Sequence, residues 1–198
     1  MPKTSACWLL DIIMTDQEWD VYCDKLSKAY DGKKTSEIEN ADKYHDAAVN
    51  MIMLRKSKRI LMFCRRMSVF SKSFYKDKNL ENLDSREEVV KESLKKFFEN
   101  DEAHMVVIVT EKPKINDFLL GEQKLRELVD DDKLWIYKIP KDFGSDIPHF
   151  TIADDVEVRI ETDDENKVGT CFFHNDSMVA DLKDSFDTFK AYSALISC

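Results

Sequence analysis

His149, Asp154 and Arg159 stand at intervals of five along one stretch, His149-Phe-Thr-Ile-Ala-Asp154-Asp-Val-Glu-Val-Arg159. An imidazole can attack or protonate a phosphorus centre, a carboxylate can orient it, and a guanidinium can neutralise phosphate oxygens. The three together suit a phosphodiesterase site completed by a second copy of the chain. A plainer use of the same residues is favoured: His149 closes a loop after Pro148, Asp154 marks a turn, and Arg159 pairs with Glu157 or Glu161 on a strand surface.

A second candidate is basic. From Arg55 to Lys78 there are nine Lys and Arg residues and one Asp, with Arg65-Arg66 at the centre and Phe63, Phe70, Phe74 and Tyr75 interleaved. Cations with aromatics can hold single-stranded nucleic acid by phosphate attraction and base stacking. The same pattern arises when charges flank a buried strand at Ile60–Cys64 and follow a helix whose negative end suits Arg55. The formal charge of −9 argues against indiscriminate binding to polyanions.

Other chemistries lack their signatures. Five scattered cysteines without a Cys-x-x-Cys pair read as free thiols in a reducing compartment. Cys171-x-x-His174 has no second ligand pair, so no metal and no other cofactor is expected. Glycine-rich phosphate loops, a Gly-x-Ser-x-Gly elbow and His-Glu-x-x-His are absent. His45, His104 and His174 read as structural. Trp8-Leu-Leu-Asp-Ile-Ile-Met14 is too short to span a membrane and carries Asp11, so it reads as a buried strand.

These residues need a frame. Thr15-Asp-Gln-Glu18 is a capping box, followed by a stripe at Trp19, Tyr22, Leu26 and Tyr30. Ser36-Glu-Ile-Glu39 reads as a second capping box, opening a helix lined by Ile38, Ala41, His45, Ala48 and Ile52. Apolar runs at 59–64, 105–110 and 134–137 alternate with helical stripes near 84–98 and 121–129, the pattern of parallel strands joined by crossovers. Val156, Val158 and Ile160 alternate with Glu157, Arg159 and Glu161, which predicts a half-exposed strand. An acidic loop at 163–166, a strand at 168–173 and a helix carrying Val179, Leu182, Phe186 and Phe189 complete the chain.

Residues 36–190 resemble one repeat of a phospholipase D-like domain, on this element order and on the Ile152-Ala-Asp154 and Asn175-Asp176 marks. The resemblance implies an α/β fold with a mixed, mostly parallel central sheet flanked by helices. It also implies chemistry by His-x-Lys, four residues and Asp, in which the His attacks phosphorus, the Lys neutralises phosphate oxygens and two sets meet across repeats or a dimer. This chain departs from that motif. With Asp154 in the Asp position, Ile147 stands for the His and His149 for the Lys; with His149 as nucleophile, Thr151 stands for the Lys. No catalytic residue is carried over.

The expectation is therefore one domain over 1–198, with an extension at 1–31 and the phospholipase D-like part at 32–198. It acts in the cytoplasm as a non-catalytic interaction or ligand-binding protein. A protein partner or a homodimer is expected, through Phe150, Phe172 and Phe173 near His149, with nucleic acid as the further partner class and no membrane. His149, Asp154, Arg159, Arg65 and Arg66 are the candidate binding residues. The rival reading is a phosphodiesterase or nuclease with an atypical site formed in a homodimer.

Overall fold

In a computed structural model, residues 14–76, 83–140, 143 and 147–196 are described. The stretch 8–13, read above as the body of a strand, lies outside them. Thr15 caps α1 (Asp16–Asp31) by the expected reciprocal bonds with Glu18, and Trp19, Tyr22, Leu26 and Tyr30 are its buried stripe. β1 (Ser36–Asn40) follows where a helix start was expected. The helix α2 (Lys43–Lys56) begins later, because Asp42 accepts from the backbone N–H groups of Tyr44 and His45 and is the better cap. Ser36-Glu-Ile-Glu39 matches a capping box in letters, but Ile38 alternates inward as a strand residue.

β2 (Arg59–Cys64), the short α3 (Lys72–Tyr75), α4 (Asp84–Glu99), β3 (His104–Val109), α5 (Glu122–Asp130) and β4 (Leu134–Lys138) come next. β5 (His149–Ala153), β6 (Glu157–Asp163), β7 (Val168–Phe173), α6 (Asp176–Ala191) and the two-residue β8 (Ala194–Leu195) close the chain. Among the described residues, all eight strands form one sheet in the order β1-β7-β6-β5-β2-β3-β4-β8. The final hairpin thus joins the same sheet as the helix-separated strands.

The balance of directions differs from expectation. Only β2–β3 and β3–β4 are parallel; the other five pairings are antiparallel. The parallel part is the helix-separated core, where a crossover is needed to bring the chain back. The unforeseen β1 and β8 extend both edges and shift the count.

Helices cover both faces. On one, α1, α2, α4 and α5 pack with inward residues such as Ile60, Met62, Met105, Val107, Leu134 and Ile136. On the other, Val179, Phe186 and Phe189 of α6 meet Phe63, Ile108, Phe150, Ile152 and Val158. The strand β6 lies inside the sheet between β7 and β5, and helices close over both its faces, α6 on the side of Val158 and α2 on the side of Arg159. This overturns the half-exposed strand: Glu157, Arg159 and Glu161 are 0%, 5% and 6% exposed. Phe150 and Phe173 are also core residues, which removes them as dimer anchors.

Candidate functional site

The site is built on the helix-rich face where β5 and β6 run side by side, with His149 directly opposite Glu161. His149 Nδ1 is 3.0 Å from Glu161 Oε1 and 3.4 Å from Asp164 Oδ1. Lys167, after the hairpin loop, brings Nζ to 2.5 Å from Asp164 and 3.4 Å from Glu161. Arg159 places NH1 2.9 Å from the other Glu161 oxygen and NH2 3.0 Å from Asp46 of α2. Asn50, one turn along α2, donates to the same Asp46 oxygen at 3.0 Å, and Asn40 of β1 donates to the Lys167 carbonyl.

Six charged groups therefore interlock in a largely buried network, with three carboxylates (Asp46, Glu161, Asp164) and two fixed cations (Arg159, Lys167). A protonated His149 brings the sum to zero. Burial pulls the imidazolium down, but bonds from Asp164 and Glu161 outweigh it and hold its pKa up at about 9. Its bond to His149, joined by Lys167, holds Asp164 far below the ordinary carboxylate range. Burial raises Asp46 despite the Arg159 guanidinium. A buried pair is costly unless its remaining groups are bonded, and here one network satisfies most of them.

His149, Glu161 and Asp164 also offer three ligand atoms within 4.8 Å of one another, a spacing that suits a metal ion. The Lys167 ammonium already stands on both carboxylates, so the chain supplies the positive charge that an ion would bring.

Above this network the surface opens. Directly after β2, Met67 takes a left-handed conformation (φ 59°) and turns the chain, leaving Arg65 and Arg66 at the mouth. Both guanidiniums are held by Glu111: Arg65 Nε at 2.8 Å from one oxygen and Arg66 Nε at 2.5 Å from the other. Arg65 also reaches Asp164 at 3.5 Å, which ties the rim to the network. A cleft of about 220 Å³ lies here, lined among others by Lys43, Arg65, Arg66, Ser68, Ser71 and Lys167. A recess of about 30 Å³ leads inward to His149 and Arg159.

The candidate residues thus divide. His149, Arg159, Arg65 and Arg66 line one recess at the carboxyl end of β2. Asp154 does not join them: it follows the far end of β5, at φ 47°, and accepts from the backbone N–H groups of Lys58 and Arg59 at 2.9 and 2.7 Å. Its role is to tie a turn, as expected. Arg159 is not a surface residue; its partners are Glu161 and the unforeseen Asp46. Phe63, Phe70, Phe74 and Tyr75 of the basic segment are buried and present no ring for base stacking.

Sequence reading missed Glu161, Asp164, Lys167 and Asp46 as site members. One signal was available. The run Ala47-Ala-Val-Asn-Met-Ile-Met-Leu54 is apolar nearly all round, the mark of a buried helix, so Asp46 beside it and Asn50 within it require a buried polar partner.

No protein-family model matches the chain, and no curated protein is detectably similar to it. Among solved structures, TrmBL2, an archaeal chromatin protein with a novel mode of DNA binding, is similar at a TM-score of 0.55 and 13% identity, over 84% of this chain and 55% of that one. Phosphatidylserine synthase from Haemophilus influenzae is similar at 0.53 and 10% identity, over 82% and 40%. Nuc from Salmonella typhimurium, a phospholipase D family member, is similar at 0.51 and 8% identity, over 83% of this chain and all of its own. The chain spans about half the length of the first two. The fold it shares with them is phospholipase D-like.

Proposed function

On this phospholipase D-like fold, we propose that the chain is a non-catalytic ligand-binding protein whose cleft beside Arg65 and Arg66 takes an anionic group. The observation that carries the reading is the state of His149. With Nδ1 held by two carboxylates and a pKa of about 9, it is an imidazolium at neutral pH, and an imidazolium has no lone pair with which to attack phosphorus. Thr151, where the family places its Lys, is uncharged and 4% exposed. The rim supports anion binding: four cations, Lys43, Arg65, Arg66 and Lys167, line the cleft against the carboxylates of Asp164 and Glu165, within a chain of net charge −9. Glu111 orients both guanidiniums as a bound anion would. A phosphate ester is the ligand class nearest to the fold's relatives, one of which binds DNA and one of which is a phosphatidylserine synthase.

One observation favours a second reading, a phosphodiesterase completed by a second copy. A carboxylate on Nδ1 is also how a nucleophilic imidazole is oriented, with Nε2 left for the substrate. Hydrolysis of bis(p-nitrophenyl) phosphate separates the two. We expect no turnover above buffer and none changed by His149→Ala, together with saturable binding of phenyl phosphate in calorimetry that Arg65→Ala/Arg66→Ala abolishes. Turnover that disappears in His149→Ala would replace the first reading with the second.

A further inference from the structure

Glu157 opens β6 and is 0% exposed, and among the described residues its carboxylate oxygens meet the weakly donating Cys171 thiol but no N–H or O–H donor. The nearest cation along the strand is committed elsewhere, since Arg159 gives NH1 to Glu161 and NH2 to Asp46. Cross-strand neighbours on this face are Phe173 and Cys171, both 0% exposed. A carboxylate cannot be held in such a place without donors, whereas a neutral carboxyl can. Burial, eased by the Cys171 thiol and Arg159, lifts Glu157 to about 8.

The element above this face is α1. Ile38 of β1 and Cys171 and Phe173 of β7 share one continuous core with Trp19, Tyr22, Leu26 and Tyr30. The polar ties of α1 to the strands are few: Tyr22 donates to the Glu39 carbonyl, and the His174 ring meets the Tyr30 carbonyl. At its ends Asp31 pairs with Lys56 of α2, and Asp16 with Arg86 of α4. Lifting α1 would hydrate Glu157 without breaking any rung of the β1–β7–β6 ladder. Local opening of one helix costs less than global unfolding.

We propose that Glu157 is a proton-operated latch under α1: neutral, it is seated beneath the helix, and on losing its proton to solvent it drives α1 off the β1–β7–β6 face while the rest of the sheet stays folded. The groups that face it fit this role. From α1, Tyr22 and Tyr30 are pushed upward by burial and stay neutral through the range in which Glu157 titrates. From β7, Cys171 is also raised by burial. From β6, Arg159 favours the charge but is shared with Asp46 of α2 and Glu161. Asp42 of α2 and Asp154 of the β5–β6 turn add negative charge to the same side, near Tyr22 and Tyr30.

Amide hydrogen exchange between pH 6 and 10, corrected for the intrinsic rate of each amide, tests the latch. Protection across α1 should fall about tenfold per pH unit from pH 6 to about 8 and level off above it, because the opened helix leaves Glu157 near its ordinary value of 4.5 while the seated carboxyl keeps its proton up to about 8; α1 should also exchange through an opening less sensitive to added urea than that of β3. Glu157→Gln, which keeps the shape and removes the charge, should flatten the α1 profile; Glu157→Met serves should the amide variant not fold. Three results would overturn the proposal: α1 protection independent of pH between 6 and 8, α1 exchanging with the same urea dependence as β3, or the same slope in the charge-free variant.

Discussion

His149 and Glu161 face each other across β5 and β6, and the imidazole Nδ1 lies 3.0 Å from Glu161 Oε1. The two are twelve residues apart in the chain and become neighbours through strand register alone. That register places a histidine among carboxylates, which fixes its charge and, with it, what the cleft can do.

The pH dependence of stability follows from this pair. The folded pKa of His149, about 9, lies above its ordinary value of 6.5. Its contribution is therefore fully present below about pH 6.5 and is lost as pH rises through 9. His149→Gln should cost about 2 kcal/mol at pH 6, the scale of charge-assisted hydrogen bonds, and much less at pH 10. Urea unfolding at the two values measures the difference; an equal cost at both would show that the imidazole is not charged in the folded state.

Arg159 bridges Asp46 and Glu161, and removing it leaves buried carboxylates short of a cation. Arg159→Met should destabilise by about 3–5 kcal/mol. Asp46→Leu in the same background should recover part of that, giving a double-mutant cycle that is strongly non-additive. Additive losses would mean that the 3.0 Å contact with Asp46 contributes nothing.

Phe150 belongs to the core with Phe63, Phe186 and Phe189. Phe150→Asp buries an unpaired carboxylate and should unfold the chain, seen as loss of the circular dichroism signal. Phe172, on β7, is only partly buried and should accept Asp within about 1 kcal/mol. A folded Phe150→Asp variant of altered mass in light scattering would restore that side chain to an interface.

Gly169 is opposite Glu161 in the β6–β7 ladder, and a Cβ there would come within 2.5 Å of the Ile160 carbonyl oxygen. Backbone rather than a flexible side chain would have to move. Gly169→Ala should cost about 1–3 kcal/mol and, by shifting Glu161, should change the His149 titration followed by NMR. An unchanged titration would show that the strand absorbs the strain without disturbing the network.

Much of the frame follows from local sequence. The Thr15 capping box, the apolar runs that became β2, β3 and β4, and the stripe of α6 are set by periods of two and 3.6 residues and by end-capping chemistry, which act within a turn or a strand. The family's element order could be read from the same signals. So could the absence of the His-x-Lys, four residues and Asp spacing, since residue types at fixed spacings are a property of the chain alone.

Burial was decided elsewhere. Glu157, Arg159 and Glu161 alternate with apolar residues just as a solvated strand would, and nothing within the strand says that a second layer of helices closes over the polar side. That layer exists because β1 takes residues 36–40 to the sheet edge and lets α2 start at Lys43, which brings Asp46 down onto Arg159. Whether an alternating strand meets water or protein depends on its place in the sheet and on what packs above it. For the charge on His149 and the neutral carboxyl of Glu157, that place was fixed by tertiary structure, since electrostatic free energy depends on solvent exclusion and on partners distant in sequence.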